Sequence, residues 1–116
     1  MNGIDVSISL HSVVLREPET TTFWYDLLRL LPESAGLTTL DPPLLYRFPS
    51  RHVPTESGVS GMILMVQSHC AFHWWPLTTF LHVTISSCLR FDPHRIIAVL
   101  LDRFSADHVN VRESAW

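Results

Sequence analysis

Four side chains have types and spacings that could do chemistry: Ser60, Ser68, His73 and Cys88. Ser60 sits in Gly58-Val59-Ser60-Gly61, Ser68 in Gln67-Ser68-His69, and His73 precedes Trp74-Trp75-Pro76. A hydroxyl or a thiol can act as a nucleophile, and an imidazole can carry a proton. Taken singly the signals are ordinary: a serine in a strand is commonly a tolerated small residue, and a histidine beside aromatics is commonly a satisfied core residue. A solitary cysteine is more often a small buried hydrophobe than a catalyst.

Composition narrows the chemistry. The 116 residues contain no lysine, so all eight basic residues are arginines. A pyridoxal phosphate (PLP) enzyme holds its cofactor through a lysine, which closes that route to amino-acid chemistry. A net charge of −3 with scattered arginines gives no basic footprint for nucleic acid. No apolar run is long enough to cross a membrane, and the N-terminus lacks a signal-peptide pattern. Cys70 and Cys88 make no disulfide framework, and no cluster reads as a metal site. The expectation is a soluble cytoplasmic protein forming one domain over residues 1–116, with a real core because 47% of residues are apolar.

The elements that must position these residues follow from periodicity. Ile4, Val6, Ile8 and Leu10 alternate with polar residues as a half-buried strand. Pro18 fits the first turn of a helix carrying Phe23, Leu27, Leu30 and Leu31, with Gly36 as its stop. Asp41-Pro42-Pro43 breaks the chain before a strand from Leu44 to Phe48. Residues 49–61 read as a loop, Met62 to Val66 as a buried strand, and Cys70 to Trp75 as an extended segment after an interruption at Ser68 and His69. In Phe80 to Cys88, one face carries Leu81, Val83 and Ile85, and the other carries His82, Thr84 and Cys88. Asp92-Pro93 caps a helix with Ile96, Ile97, Leu100, Leu101 and Phe104 on one face, and a strand around Val109 and Val111 closes the chain. This order predicts an α+β fold, a two-layer sandwich with helices on one face of a mostly antiparallel sheet.

Taken together, the segment from Gly58 to Cys88 resembles the prokaryotic S-adenosylmethionine decarboxylases. The matching stretches are Gly58 to Gly61, Gln67-Ser68-His69, His73 to Pro76, and Ser87-Cys88, and their spacings fit that family without gaps. The resemblance implies a pyruvoyl cofactor made from the chain itself. Ser68 attacks the Gln67 carbonyl and the ester eliminates, leaving a β chain of residues 1–67 and a pyruvoyl-blocked α chain of residues 68–116. It implies that His73 and Ser60 assist, and that Cys88 reprotonates the decarboxylated substrate, which is held as a Schiff base. It also implies a homodimer and a place in polyamine biosynthesis.

Departures from the family pattern fall on substrate binding. Leu77 stands where the family has a glutamate after Trp-Pro, and Pro54 stands where an aromatic is expected six residues before Ser60. Leu89 replaces a glycine after the cysteine, and Gln67 replaces a glutamate before the scissile bond. These changes leave three readings: an adenosylmethionine decarboxylase, taken as the default; a pyruvoyl-dependent ornithine or arginine decarboxylase, with Glu56 and His82 as candidate substrate contacts; and a non-catalytic paralogue that binds a partner subunit.

Overall fold

In the computed structural model, residues 2–50 and 52–116 are described, with the Glu56 side chain excepted. Alternation of apolar residues builds the sheet. Strand β1 (Ile4–His11) buries Ile4, Val6, Ile8 and Leu10. β4 (Gly58–Met65) buries Val59, Ile63 and Met65, β5 (Ser68–Trp75) buries Cys70, Phe72 and Trp74, and β6 (Phe80–Ser87) buries Leu81, Val83 and Ile85. With β3 (Thr39–Phe48) and β8 (His108–Ala115) they form one six-stranded sheet in the order β3-β4-β5-β6-β1-β8, antiparallel at every pairing. Two short strands, β2 (Val14–Leu15) and β7 (Phe104–Ser105), pair separately.

Both helices lie against the buried face. α1 (Thr21–Ser34) presents Phe23, Trp24, Leu27, Leu28 and Leu31, and α2 (Pro93–Arg103) presents Ile96 and Leu100. Trp24 stacks on Phe72 at 4.5 Å between ring centroids, tying α1 to the centre of the sheet. Such large apolar side chains, fully removed from water, supply the main driving force for the fold. The α+β two-layer expectation is therefore met. No helix among the described residues is long and apolar enough to cross a membrane.

Several boundaries differ from expectation, each for a local reason. α1 begins after Thr20, whose hydroxyl accepts from the Phe23 amide at 3.1 Å, so Pro18 lies ahead of the helix. Gly36 does close it, at φ 78°. Asp41-Pro42-Pro43 does not end the strand. β3 runs through it with a register shift between Leu40 and Leu44, which an edge strand tolerates because no outer neighbour needs the missing amides. β4 starts at Gly58, shortening the expected loop, and Ser68 and His69 open β5 where an interruption was expected. Phe104 is buried but belongs to β7, because the helix ends at Arg103.

Candidate active site

The four reactive residues form two separate pairs. At one end of the sheet, β4 and β5 are joined by a turn through Val66 and Gln67, closed by the Met65–Ser68 pairing. Gln67 takes φ 59°, a left-handed conformation that costs a side-chain-bearing residue about 1–2 kcal/mol. Strain is thus stored next to the Gln67–Ser68 peptide. Ser68 Oγ accepts from the Cys88 amide at 3.1 Å and lies 3.9 Å from Cys88 Sγ, to which it donates. Cys88 Sγ is in turn 3.5 Å from Gln67 Oε1. Ser68, Cys88 and the turn line a cavity of about 180 Å³, closed on the helix side by Gly36, Leu37 and Thr38. A hydroxyl, a thiol and the left-handed backbone of Gln67 therefore meet in one small space.

The second pair lies on the open face of the sheet. Ser60 Oγ and His73 Nδ1 are 2.6 Å apart, across the β4–β5 register in which the two residues oppose each other. The glycines that flank Ser60 are needed for packing. A Cβ on Gly58 would collide with the Trp74 carbonyl oxygen, and one on Gly61 would come within 2.6 Å of Phe72 Cε1. The pairing continues sideways as one polar row: Tyr46, Ser60, His73, His82, Ser9 and Asn110, each opposite the next. Within it, Ser9 Oγ and His82 Nδ1 form a second serine–histidine contact at 2.8 Å. Partial burial, together with the charge of His73, lowers the His82 proton affinity below the ordinary histidine range.

The two pairs do not meet within one chain. Ser68 has the parity of Cys70, Phe72 and Trp74, whose side chains face the helices, whereas His73 faces away from them. They are five positions apart on extended β5, about 16 Å along the strand.

Of the residues expected to touch substrate, His82 lies half-buried on the open face, in the same row as His73. Leu77 is exposed in the β5–β6 turn and lines none of the cavities at either pair. Glu56 belongs to a short 3-10 turn (Pro54–Glu56), and its side chain lies outside the described residues. Pro54 starts that same turn. The loop folds back on itself, with Ser50 N donating to Ser57 Oγ at 2.7 Å, so counting six residues back from Ser60 leads into the loop and away from the site. The aromatic beside Ser60 is Tyr46, its register partner on β3. Tyr46, Leu44 and Met62 line a cavity of about 290 Å³ with Ser60 and His73. Tyr46 was missed because strand register, not sequence offset, brings it there.

The profile of the S-adenosylmethionine decarboxylases matches residues 11–115. This chain belongs to that family. It is 25% identical over 113 residues to the S-adenosylmethionine decarboxylase proenzyme of Clostridium botulinum (strain Hall), an alignment covering 97% of this chain and 91% of the relative. It is 35% identical over 63 residues to the proenzyme of Pelotomaculum thermopropionicum, covering 53% and 50% of the two chains. The fold is similar to that of the adenosylmethionine decarboxylase from Aquifex aeolicus, with a TM-score of 0.74 at 19% identity over 97% of this chain and 88% of that one. The sheet described above is thus a decarboxylase-family scaffold.

Proposed function

We propose that the chain is a proenzyme that cleaves itself between Gln67 and Ser68 and then decarboxylates S-adenosylmethionine. The observation that carries this reading is the convergence of the Ser68 hydroxyl, the Cys88 thiol and the left-handed Gln67 in one cavity. Ser68 Oγ attacks the Gln67 carbonyl carbon, and its proton passes to the Ser68 nitrogen, which leaves as the amine. The C–N bond breaks to give an ester. Loss of the α-proton and of the Gln67 carboxylate leaves dehydroalanine, and water converts this to a pyruvoyl group and ammonia. Relief of the Gln67 backbone strain favours the forward direction. A pyruvoyl group at position 68, beside Cys88, would supply a carbonyl for the substrate amine and the electron sink for decarboxylation. Cys88 is placed to hold the proton that the product carbon then needs.

The sheet keeps the two products together. Residues 1–67 supply β1, β3 and β4, and residues 68–116 supply β5, β6 and β8. In the order β3-β4-β5-β6-β1-β8, β1 of the first fragment lies between β6 and β8 of the second and bonds to both. Cleavage therefore removes one peptide bond and no strand pairing.

Separation of the two pairs supports a homodimer in which Ser60 and His73 of one copy serve Ser68 of the other. The 2.6 Å Ser60–His73 contact can polarise a hydroxyl or carry a proton, but only for a group brought to the open face. Tyr46 beside Ser60 gives that face an aromatic surface, which favours a nucleoside-bearing substrate over ornithine or arginine. Mass spectrometry of purified protein tests the core of the proposal. Two fragments are expected, the second lighter by one ammonia than simple hydrolysis would leave it. A persistently intact chain overturns the proposal.

A further inference from the structure

Along β6 the buried positions are Leu81, Val83, Ile85 and Ser87. The last breaks the apolar pattern: at 1% exposure, Ser87 is the one buried polar side chain among the described residues. A hydroxyl removed from water must find partners inside the protein. Both partners of Ser87 lie on a single residue. Its Oγ accepts from Leu89 N at 3.0 Å and donates to Leu89 O at 2.7 Å. The reaction above makes no use of this group.

Those two bonds act where the sheet lets go of the chain. The pairings of β6 end at Ser86 towards β5 and at Ser87 towards β1, so Cys88 and Leu89 belong to no strand. Leu89 keeps its side chain exposed, so core packing does not fix it. A short side chain that bonds the backbone two residues on is a recurrent way to fix a turn. The Ser87 hydroxyl therefore sets the bend that carries Cys88. That bend aims the Cys88 amide at Ser68 Oγ, 3.1 Å away, and leaves Cys88 Sγ 3.9 Å from the same oxygen.

We propose that Ser87 is a positioning residue: its hydroxyl locks the bend at residues 87–89 and so holds Cys88 against Ser68. The proposal rests on the self-cleavage reading for its effect on rate, and on the bend alone for its effect on the thiol. Before cleavage, the Cys88 amide fixes the place of the Ser68 oxygen. Afterwards, the same bend keeps the thiol beside position 68. A displacement of about 1 Å at a reacting group can cost about 10²-fold in rate.

Three full-length variants test this: Ser87→Ala, Ser87→Val and Ser87→Thr, of which only the last keeps a hydroxyl. Cleavage of Ser87→Ala and Ser87→Val should slow by about 10²-fold, and Ser87→Thr should recover most of the wild-type rate. Urea midpoints are measured alongside, because a merely structural role predicts cleavage that falls in step with stability whichever side chain is present. A second arm, in the Ser68→Ala background, does not depend on cleavage. There, Ser87→Ala should speed iodoacetamide labelling of Cys88 several-fold, and Ser87→Thr should return it to the slower rate. If Ser87→Ala fails to fold, the threonine and valine variants, which differ by a hydroxyl against a methyl, decide in both arms. Cleavage that ignores the hydroxyl, or labelling that is the same with and without it, would overturn the proposal. A wild-type chain that never cleaves sinks the self-cleavage reading instead, and the labelling arm alone then decides the role of Ser87.

Discussion

The hairpin end of the sheet and its open face both place a serine hydroxyl in contact with a polar partner, but by different means. At the hairpin end, Ser68 and Cys88 meet in a small cavity beside a strained turn, with the thiol 3.9 Å from the hydroxyl. On the open face, Ser60 and His73 meet across flat register in a row that extends to His82 and Ser9. The first arrangement stores energy at one peptide bond. The second stores none and offers instead a line of proton-carrying groups on a surface that a second copy can cover. In the proposed reaction the first region breaks a bond once, and the second serves a group that arrives from outside.

The largest effect should come from breaking the first region. Ser68→Ala removes the nucleophile and should leave a single uncleaved 13.3 kDa chain on a denaturing gel. His73→Ala alone should also slow cleavage strongly. Mixing the two variants sharpens the comparison, because a mixed dimer contains one site with Ser68 from one copy and His73 from the other. Cleaved His73→Ala chain should then appear in the mixture. If it never does while wild-type chains cleave, the two regions do not cooperate across copies.

Cys88→Ala comes next. It keeps the turn and its strain but removes the proton-carrying thiol, so turnover should fall by about 10²–10⁴-fold, the usual range for general acid–base groups. A companion measurement contrasts the two cysteines. Burial pushes the Cys70 thiol up to about 12, with no charged partner to offset it, while Cys88 is only half-buried and opens to the cavity. Iodoacetamide should label Cys88 in the native protein and reach Cys70 only after unfolding. Equal labelling of both would show that the core around Phe72 and Cys70 is loose. A smaller change, still easily read, is Leu27→Ala beneath the sheet. It should cost about 2–5 kcal/mol in urea unfolding.

Much of this was legible in the sequence because period-2 alternation is hard to mistake when one sheet face is fully buried. Ile4 to Leu10 and Leu81 to Ile85 gave strands of the right phase, and the phase assigned His82 to the open face. The four reactive residues stood out as a set only through the resemblance to the family's pattern, and their roles remain part of the proposal. Their division into two pairs was not legible, since it depends on parity: Ser68 and His73 are five apart on one strand and so must face opposite ways. Helix α1 was misplaced at its start because Pro18 and Thr20 are both acceptable N-terminal residues, and only the Thr20 hydroxyl bond decides between them. Tyr46 was invisible because it reaches Ser60 through the register between β3 and β4, which no local pattern encodes.

The smallest expected effect concerns pH and separates the row on the open face from the hairpin end. Burial and His73 lower the His82 proton affinity in the folded state, so between the folded and ordinary values the unfolded chain binds more protons. The sign follows directly: stability is complete above the ordinary histidine value of 6.5 and declines as pH falls through it. The carboxyls of Asp5 and Asp92 are lowered from 3.8, so they titrate in a more acidic window and leave this one undisturbed. Because His82 is only partly buried, solvent screening keeps the change modest. Urea midpoints of wild type should drop between about pH 7.5 and pH 5.5, and His82→Gln should reduce that drop while preserving a bond to Ser9. A variant whose drop matches wild type would mean that His82 titrates as it does in the unfolded chain. The row would then be a line of independent surface residues and not a coupled one.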